Sequence, residues 1–150
     1  MSMSADLPAP PDVRGRSLDG GAPYVINANE NAALCHSLGT EPAHDGTAHP
    51  IYYFIATQLG MGVTVAGLCE LCGFDVADGP MIIGSAVRFD APLYVDRPYR
   101  VTGSILHIER KRSRKFGVMD VLEYRLALVD GDRDVLVTTN TWVLPRRELS

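Results

Sequence analysis

Alternating apolar and polar positions predict a sheet in the second half of the chain. Beyond residue 80, four segments combine β-branched and aromatic residues and end at turn-forming neighbours, as strands do: Met81–Asp90, Tyr99–Glu109, Phe116–Val129 and Val135–Leu144. Strict alternation is visible in the third segment, whose apolar positions are Leu122, Tyr124, Leu126 and Leu128. The sequence Asp130-Gly131-Asp132 predicts a hairpin turn after it, because Asp-Gly accepts positive φ. The pattern therefore predicts an antiparallel sheet with one apolar face.

Helical spacing replaces this alternation in the first half. A short strand, Tyr24–Ile26, runs into Asn27, and Glu30 three positions later resembles a capping box that opens a helix. Apolar residues then recur at helical intervals until Gly39, a typical helix stop. A polar loop with histidines and an aspartate follows, and loops of this kind at the start of a helix often carry chemistry.

A longer helix is predicted from Pro50 to about Leu71. Apolar residues lie on nearly every side of it, which indicates burial, and Gly60 predicts a kink or a break because glycine weakens a helix. The economical arrangement is an α+β domain in which a curved antiparallel sheet wraps around this central helix, the hot-dog fold; an α+β sandwich is the alternative. Such a sheet has exposed edges, which favours a homodimer or a heterodimer with a second hot-dog chain.

Composition limits what the chain can be. Its 150 residues are 46% hydrophobic and 21% charged, with a formal net charge of −4, which fits one packed domain over residues 13–150 and argues against a nucleic-acid binder. No apolar run approaches the ~20 residues of a membrane helix. Residues 1–12, rich in Ser, Pro and Ala, predict a flexible N-terminal tail and contain no secretion signal. We therefore expect a cytoplasmic protein with reduced cysteines and no membrane partner.

Five stretches of the chain carry a family resemblance: His49-Pro50-Ile51-Tyr52-Tyr53-Phe54, Gly79-Pro80-Met81-Ile82, Val87-Arg88-Phe89-Asp90-Ala91-Pro92-Leu93, Tyr99-Arg100-Val101-Thr102-Gly103 and Trp142-Val143-Leu144-Pro145-Arg146. They resemble a MaoC-like hot-dog domain, and more narrowly the N-terminal, dehydratase-like half of two-part enoyl hydratases. The resemblance implies acyl thioesters of CoA or acyl carrier protein as substrates. It implies no cofactor or metal beyond the CoA or phosphopantetheine that belongs to the substrate. The implied reaction is reversible addition of water across a 2,3 double bond.

The chain departs from the catalytic signature of that family. Active members carry Asp-x-Asn-Pro-x-His, in which the Asp and His bracket a water and exchange protons with the substrate. Alignment on Pro50 places Thr47 at the acid and Tyr52 at the histidine. Neither residue can perform that transfer near neutral pH, since an unperturbed tyrosine has a pKa of about 10. The chain is therefore predicted to be the acyl-binding, non-catalytic subunit of an enoyl-thioester hydratase or 3-hydroxyacyl-thioester dehydratase.

Two other functions stay open. Asp45 and His49 lie four residues apart at the mouth of the long helix and could form a catalytic acid/base pair of their own in an autonomous hydratase. Asp45 alone could serve an acyl-CoA thioesterase. In the simpler interpretation, Asp45-Gly46 is a turn and His49 either caps the helix or hydrogen-bonds a carbonyl. The remaining alternative is a non-enzymatic module that only holds acyl thioesters.

Two sets of residues are predicted to bind the substrate. Five cations fall within six positions, and their arginines suit contact with the phosphates of CoA or with an acidic carrier protein: Arg110, Lys111, Arg112, Arg114 and Lys115. The alternative for this cluster is a solvated strand connection. Tyr52 is predicted to line an apolar tunnel for the acyl chain or to pack in the core. Cys69 and Cys72 form a lone CxxC within an apolar helix, which predicts core packing rather than a metal or redox site.

Overall fold

The computed structural model describes residues 7–149. Its strands are β1 (Tyr24–Val25), β2 (Met81–Phe89), β3 (Pro98–Ser113), β4 (Gly117–Asp130) and β5 (Arg133–Pro145). Its helices are α1 (Ala28–Ser37), α2 (Tyr52–Gly60) and α3 (Val65–Leu71), with short 3-10 turns at Val76–Asp78 and Arg147–Leu149. All strand pairs are antiparallel, and they form one curled sheet in the order β1-β3-β4-β5-β2.

The predicted strands and their inward faces are confirmed. The alternate positions of β4 are buried against the helices: Leu122, Tyr124, Leu126 and Leu128. Gly131 has φ of 65° in the turn that joins β4 to β5, and Asp130 pairs with Arg133 across it. The predicted hairpin is therefore present, and the conformation of Gly131 is one that L-residues other than glycine seldom adopt.

The first helix begins and ends where the sequence predicts. The side chain of Asn27 accepts hydrogen bonds from the backbone N–H groups of Asn29 and Glu30, so it satisfies two of the donors that a helix start leaves unpaired. Gly39 follows the helix with φ of 76°. The Asn27 cap and Gly39 thus mark where α1 begins and ends. Side chains of α1 help to build the site described below.

The expected break in the long helix is confirmed at Gly60. The two helices α2 and α3 are bent by 61° relative to each other. A Cβ atom on Gly60 would lie 2.6 Å from the side chain of Val101, and one on Gly20 would lie 2.0 Å from the Gly60 carbonyl oxygen. The end of α2 therefore packs closely against Val101 and the segment around Gly20, at positions where a side chain on either glycine would clash. No single helix in the described part of the chain has the length and apolarity to span a membrane, although α2 and α3 taken together meet both criteria.

Strand β2 forms an unusually exposed edge. It pairs with β5 on one side only, and almost every residue along it is exposed. The exposed set includes four large apolar side chains: Ile82, Ile83, Val87 and Phe89. An edge with unpaired backbone groups and apolar side chains favours pairing with another strand.

A buried ion cluster ties both ends of the described chain to the sheet. Asp120 on β4 is fully buried and pairs with Arg110 on β3 and with Arg146 after β5. Arg110 also donates hydrogen bonds to the carbonyls of Pro8 and Ala9. The predicted tail therefore falls into two parts: residues 1–6 lie outside the described residues, and positions 8 and 9 contact the sheet through Arg110.

Candidate functional site

A pocket of about 660 Å³ opens at one end of the sheet, next to the start of α2. Its walls are Cys35 of α1, two parts of the loop between α1 and α2 (Thr40, Glu41 and Ala43, then positions 47–50), and the end of β2 with the residues that follow it, from Phe89 to Leu93. The two loops are joined by backbone hydrogen bonds from Ala48 N–H to the Leu93 carbonyl, at 2.7 Å, and from Val95 N–H to the Gly46 carbonyl, at 2.9 Å. The lining is mainly apolar with a few polar groups, the usual composition of a small-molecule site.

His49 is the predicted site residue that lines this pocket. Its backbone N–H donates to the side-chain oxygen of Asn31, a buried residue one turn into α1, at 2.8 Å. Its ring Nδ1 accepts from the backbone N–H of Ile51 at 3.1 Å. The second contact satisfies one N–H group that the start of α2 would leave unpaired. His49 therefore caps the turn that leads into α2, close to the simpler interpretation of the sequence.

Asp45 lies on the surface and does not contact His49. Its Oδ1 accepts hydrogen bonds from the backbone N–H of Thr47 at 3.0 Å and from the Thr47 hydroxyl at 2.7 Å, within a turn that contains Gly46. The hydroxyl and the backbone of Thr47 hold the pKa of Asp45 below its usual range. A general acid near neutral pH needs a raised pKa. Asp45 does not line the pocket, so the structure does not bring the predicted Asp45–His49 pair together.

The two residues at the signature positions have different surroundings. Thr47 lines the pocket, with its hydroxyl engaged by Asp45. Tyr52 begins α2 in the core with 3% of its surface exposed, and burial raises the pKa of its phenol. It is not one of the pocket-lining residues. Of its two predicted roles, the structure therefore shows core packing, and its role in substrate binding stays a prediction.

The basic cluster lies at the other end of the sheet. The pocket adjoins the end of β2, whereas the cations lie around the hairpin between β3 and β4, where Ser113 pairs with Gly117. The span along β3 between the two ends is about 40 Å, since a strand rises about 3.3 Å per residue. Arg110 is set apart from the other cations, because its guanidinium pairs with Asp120 and its side chain is only 8% exposed. The exposed members are Lys111, Arg112, Arg114 and Lys115.

A chain of polar side chains crosses between α2 and the exposed strand β2. The Ser85 hydroxyl donates to Oδ1 of the buried Asn140 at 2.7 Å, so the Tyr53 hydroxyl, 3.0 Å from Ser85, is the donor of that contact. Farther along α2, Gln58 hydrogen-bonds the buried Tyr124 phenol at 2.9 Å. Burial raises the pKa of Tyr124. The helix and the sheet are therefore held together by hydrogen bonds as well as by apolar packing.

Sequence reasoning missed Asn31 and most of the residues from Phe89 to Leu93 as parts of the site. Asn31 carries a signal, since a polar side chain one turn after the Asn27 cap falls on the side of α1 that the next loop must cover. The β2 end was recognised as a motif, but its contact with the loop around Ala48 depends on long-range pairing. The described residues contain no cluster of three or more His, Cys, Asp or Glu that could hold a metal ion. Cys69 and Cys72 are buried in the core, as predicted.

No protein-family model matches the chain, and no curated protein matches it in sequence. Among solved structures, it is similar to the HadBC (3R)-hydroxyacyl-ACP dehydratase complex of Mycobacterium tuberculosis, with a TM-score of 0.66 and 14% identity over 88% of this chain and 97% of that one. It is also similar to a MaoC-like dehydratase from Rhodospirillum rubrum, with a TM-score of 0.62 and 16% identity over 95% and 96% of the two chains.

A thioesterase gives a similar match. The fluoroacetyl-CoA-specific thioesterase FlK has a TM-score of 0.61 and 12% identity to this chain, over 90% of each. Proteins that share so much of their length and so few identical residues share an architecture. The chain has the hot-dog fold. The fold predicted from the sequence is thus confirmed, while dehydratases and thioesterases both occur among its structural neighbours.

Proposed function

We propose that this hot-dog chain is the acyl-binding, non-catalytic subunit of a hydratase or dehydratase that acts on acyl thioesters. The observation that carries the proposal is the state of the two signature positions, where Thr47 is bound to Asp45 and Tyr52 is buried. The polar side chains that line the pocket include His49, Glu41 and Asp90, and no hydrogen bond or ion pair joins any two of these three. In this proposal, the acid/base pair that transfers protons to a bound thioester comes from another chain.

The pocket itself suits the acyl part of such a substrate. Its apolar walls are supplied by residues such as Ala48, Phe89 and Leu93, and it adjoins the first turn of α2. A helix start carries partial positive charge, which favours a polarised carbonyl oxygen nearby. At α2 this effect comes from the helix as a whole, because the N–H groups of Ile51, Tyr52 and Tyr53 are hydrogen-bonded within its first turn. In the proposed arrangement, the acyl chain packs against the apolar walls and the thioester lies near the start of α2.

The exposed edge β2 is the proposed contact with the catalytic subunit. Its unpaired backbone groups and its apolar side chains, Ile83 with 59% of its surface exposed among them, suit the edge strand of a second hot-dog chain. The HadBC neighbour is a complex of a dehydratase. Because β2 ends at the pocket, a subunit seated along β2 would lie directly beside the site and could place its own acid/base pair there.

In such a pair of subunits, the basic cluster would contribute to substrate binding. If two hot-dog subunits join antiparallel along β2, each brings its β3–β4 hairpin to the end at which the other has its pocket. The exposed cations of one subunit would then lie on the side from which the phosphates of the other subunit's thioester carrier emerge. Arginine is suited to phosphate because it forms two parallel hydrogen bonds.

Titration of butyryl-CoA into the purified chain tests this function. We expect binding by the wild type. In a dimer of two copies joined along β2, we also expect about tenfold weaker binding at low salt by the double variant Arg112→Ala/Arg114→Ala, because each pocket loses two charge contacts from the hairpin of the other copy. The matched control replaces Arg14 and Arg16, two exposed arginines outside the hairpin, by alanine and should bind as the wild type does. Failure of the wild type to bind butyryl-CoA would contradict the proposed function, and equal affinities of the two double variants would contradict the role of the hairpin.

A further inference from the structure

The backbone at His49 is held from the side of α1. Asn31 is buried, and its Oδ1 accepts the His49 backbone N–H at 2.8 Å and faces the Cys35 thiol at 3.9 Å. Pro50 follows and restricts the chain at the next position. The hydrogen bond to Asn31 and the ring of Pro50 thus restrict the backbone at His49 and limit where its imidazole can lie. Both His49 and Pro50 line the pocket.

The ring of His49 is fixed in one tautomer by the cap of α2. Nδ1 accepts the Ile51 backbone N–H at 3.1 Å, so it carries no proton of its own. A neutral imidazole has one N–H group, which must then be on Nε2. A proton added to Nδ1 would face the Ile51 N–H group, and the cap would be lost. His49 is therefore a hydrogen-bond donor through Nε2 and has no free lone pair with which to act as a base.

We propose that His49 binds the substrate by donating its Nε2–H to the carbonyl oxygen of the thioester. This inference rests on the proposed function and assigns a role that differs from the acid/base chemistry considered from the sequence. A neutral N–H donor polarises a carbonyl and transfers no proton. The donor is held in place by two contacts of the protein itself, so it costs little reorganisation when the substrate binds. Asn31 is the positioning residue for this donor.

The substitution His49→Asn separates the donor from the cap. Asparagine places its Oδ1 about where the Nδ1 of histidine lies and is a favoured N-cap residue, so the cap of α2 is kept. Its side chain is too short to reach the position of Nε2, so the donor is lost. The two probes are butyryl-CoA and S-butyl-CoA, the thioether that lacks only the carbonyl oxygen. Comparison of their Kd values isolates the contribution of that oxygen.

We expect the preference of the wild type for butyryl-CoA over S-butyl-CoA to fall roughly five- to tenfold in His49→Asn, the value of one hydrogen bond. The affinity for S-butyl-CoA and the Tm should stay unchanged. An unchanged preference would overturn the role of His49 and leave the proposed function intact. Failure of both probes to bind the wild type would refute the proposed function and this role with it.

A second measurement needs neither a variant nor a ligand. Two-bond ¹H–¹⁵N correlation spectra of the wild type distinguish the two neutral tautomers of histidine. We expect His49 to show a protonated Nε2 and an unprotonated Nδ1 at neutral pH. A protonated Nδ1 would overturn the proposal even if His49→Asn did not fold, because the ring would then present a base to the pocket.

Discussion

Replacement of Asp120 by asparagine tests how the two ends of the chain are held to the sheet. Oδ1 of Asp120 accepts from Nε of Arg110 at 2.7 Å, and Oδ2 accepts from Nη2 of Arg110 at 3.0 Å and from Nε of Arg146 at 2.9 Å. The two arginine side chains are 8% and 4% exposed. They also donate to backbone carbonyls, from Arg110 to Pro8 and Ala9 and from Arg146 to Cys72 and Gly73.

The size of the effect follows from burial. Asparagine keeps the shape of the side chain but removes the negative charge that binds both buried guanidinium groups. Loss of one partner from a buried ion pair costs about 3–5 kcal/mol, because the remaining charge is left without compensation. Since two cations lose the same anion, we expect the free energy of unfolding to fall by about 4 kcal/mol. A domain of ordinary stability has about 5–15 kcal/mol in total, so Asp120→Asn should be close to unfolding.

Urea denaturation measures this loss, with the fluorescence of Trp142 as the probe. This tryptophan is buried on β5 beside Tyr124, so its environment changes on unfolding. The control is Asp130→Asn, whose carboxylate is 41% exposed and lies 3.4 Å from Arg97. An exposed pair contributes at most about 1 kcal/mol, so the control should stay near the wild type. Equal losses for the two variants would refute the assignment of Asp120 as the centre of the cluster.

Three further predictions concern the packing of the fold. Burial raises the pKa of Cys72 to about 11, so a thiol reagent at pH 8 should not modify it until the protein unfolds; reaction with the native protein would contradict its burial. Gly20→Ala should strongly lower the midpoint of urea unfolding, because its Cβ would lie 2.0 Å from the Gly60 carbonyl oxygen. Gly21→Ala, whose Cβ would lie in open space, should leave the midpoint unchanged. Equal midpoints for the two variants would refute the close approach of Gly20 to Gly60. Asn27→Ala should cost about 1 kcal/mol of stability in the same assay, since it removes the cap of α1, and a neutral result would show that the cap does not stabilise the fold.

The sequence predicts most of the fold because its strongest signals are local. The apolar positions of β4, the Asp130-Gly131 turn and the Asn27 cap each depend on a few neighbouring residues, and all three are confirmed. The break at Gly60 was also expected from the weak helix propensity of glycine. The sequence did not predict the 61° angle between α2 and α3, because the contact between Gly60 and Gly20 joins segments forty residues apart.

The candidate site was harder to predict because it depends on long-range contacts. The sequence separation of Asp45 and His49 suggested a pair, but the bonds of Asp45 to Thr47 hold the carboxylate in its own turn. The sequence groups Arg110 with a cluster of surface cations, whereas the register between β3 and β4 places it opposite Asp120. The signal for this ion pair in the sequence was an arginine and an aspartate ten positions apart, on the two strands of one hairpin.

Hydration of crotonyl-CoA by the purified chain alone, followed by the loss of enoyl absorbance, tests whether this chain is catalytic by itself. The claim is that this hot-dog chain binds the acyl thioester and lacks the acid/base pair, since Thr47 and Tyr52 occupy the two signature positions. We predict no turnover above the uncatalysed rate at concentrations at which butyryl-CoA binds. Turnover that Asp45→Ala abolishes would contradict the account and would establish the loop before α2 as a complete active site.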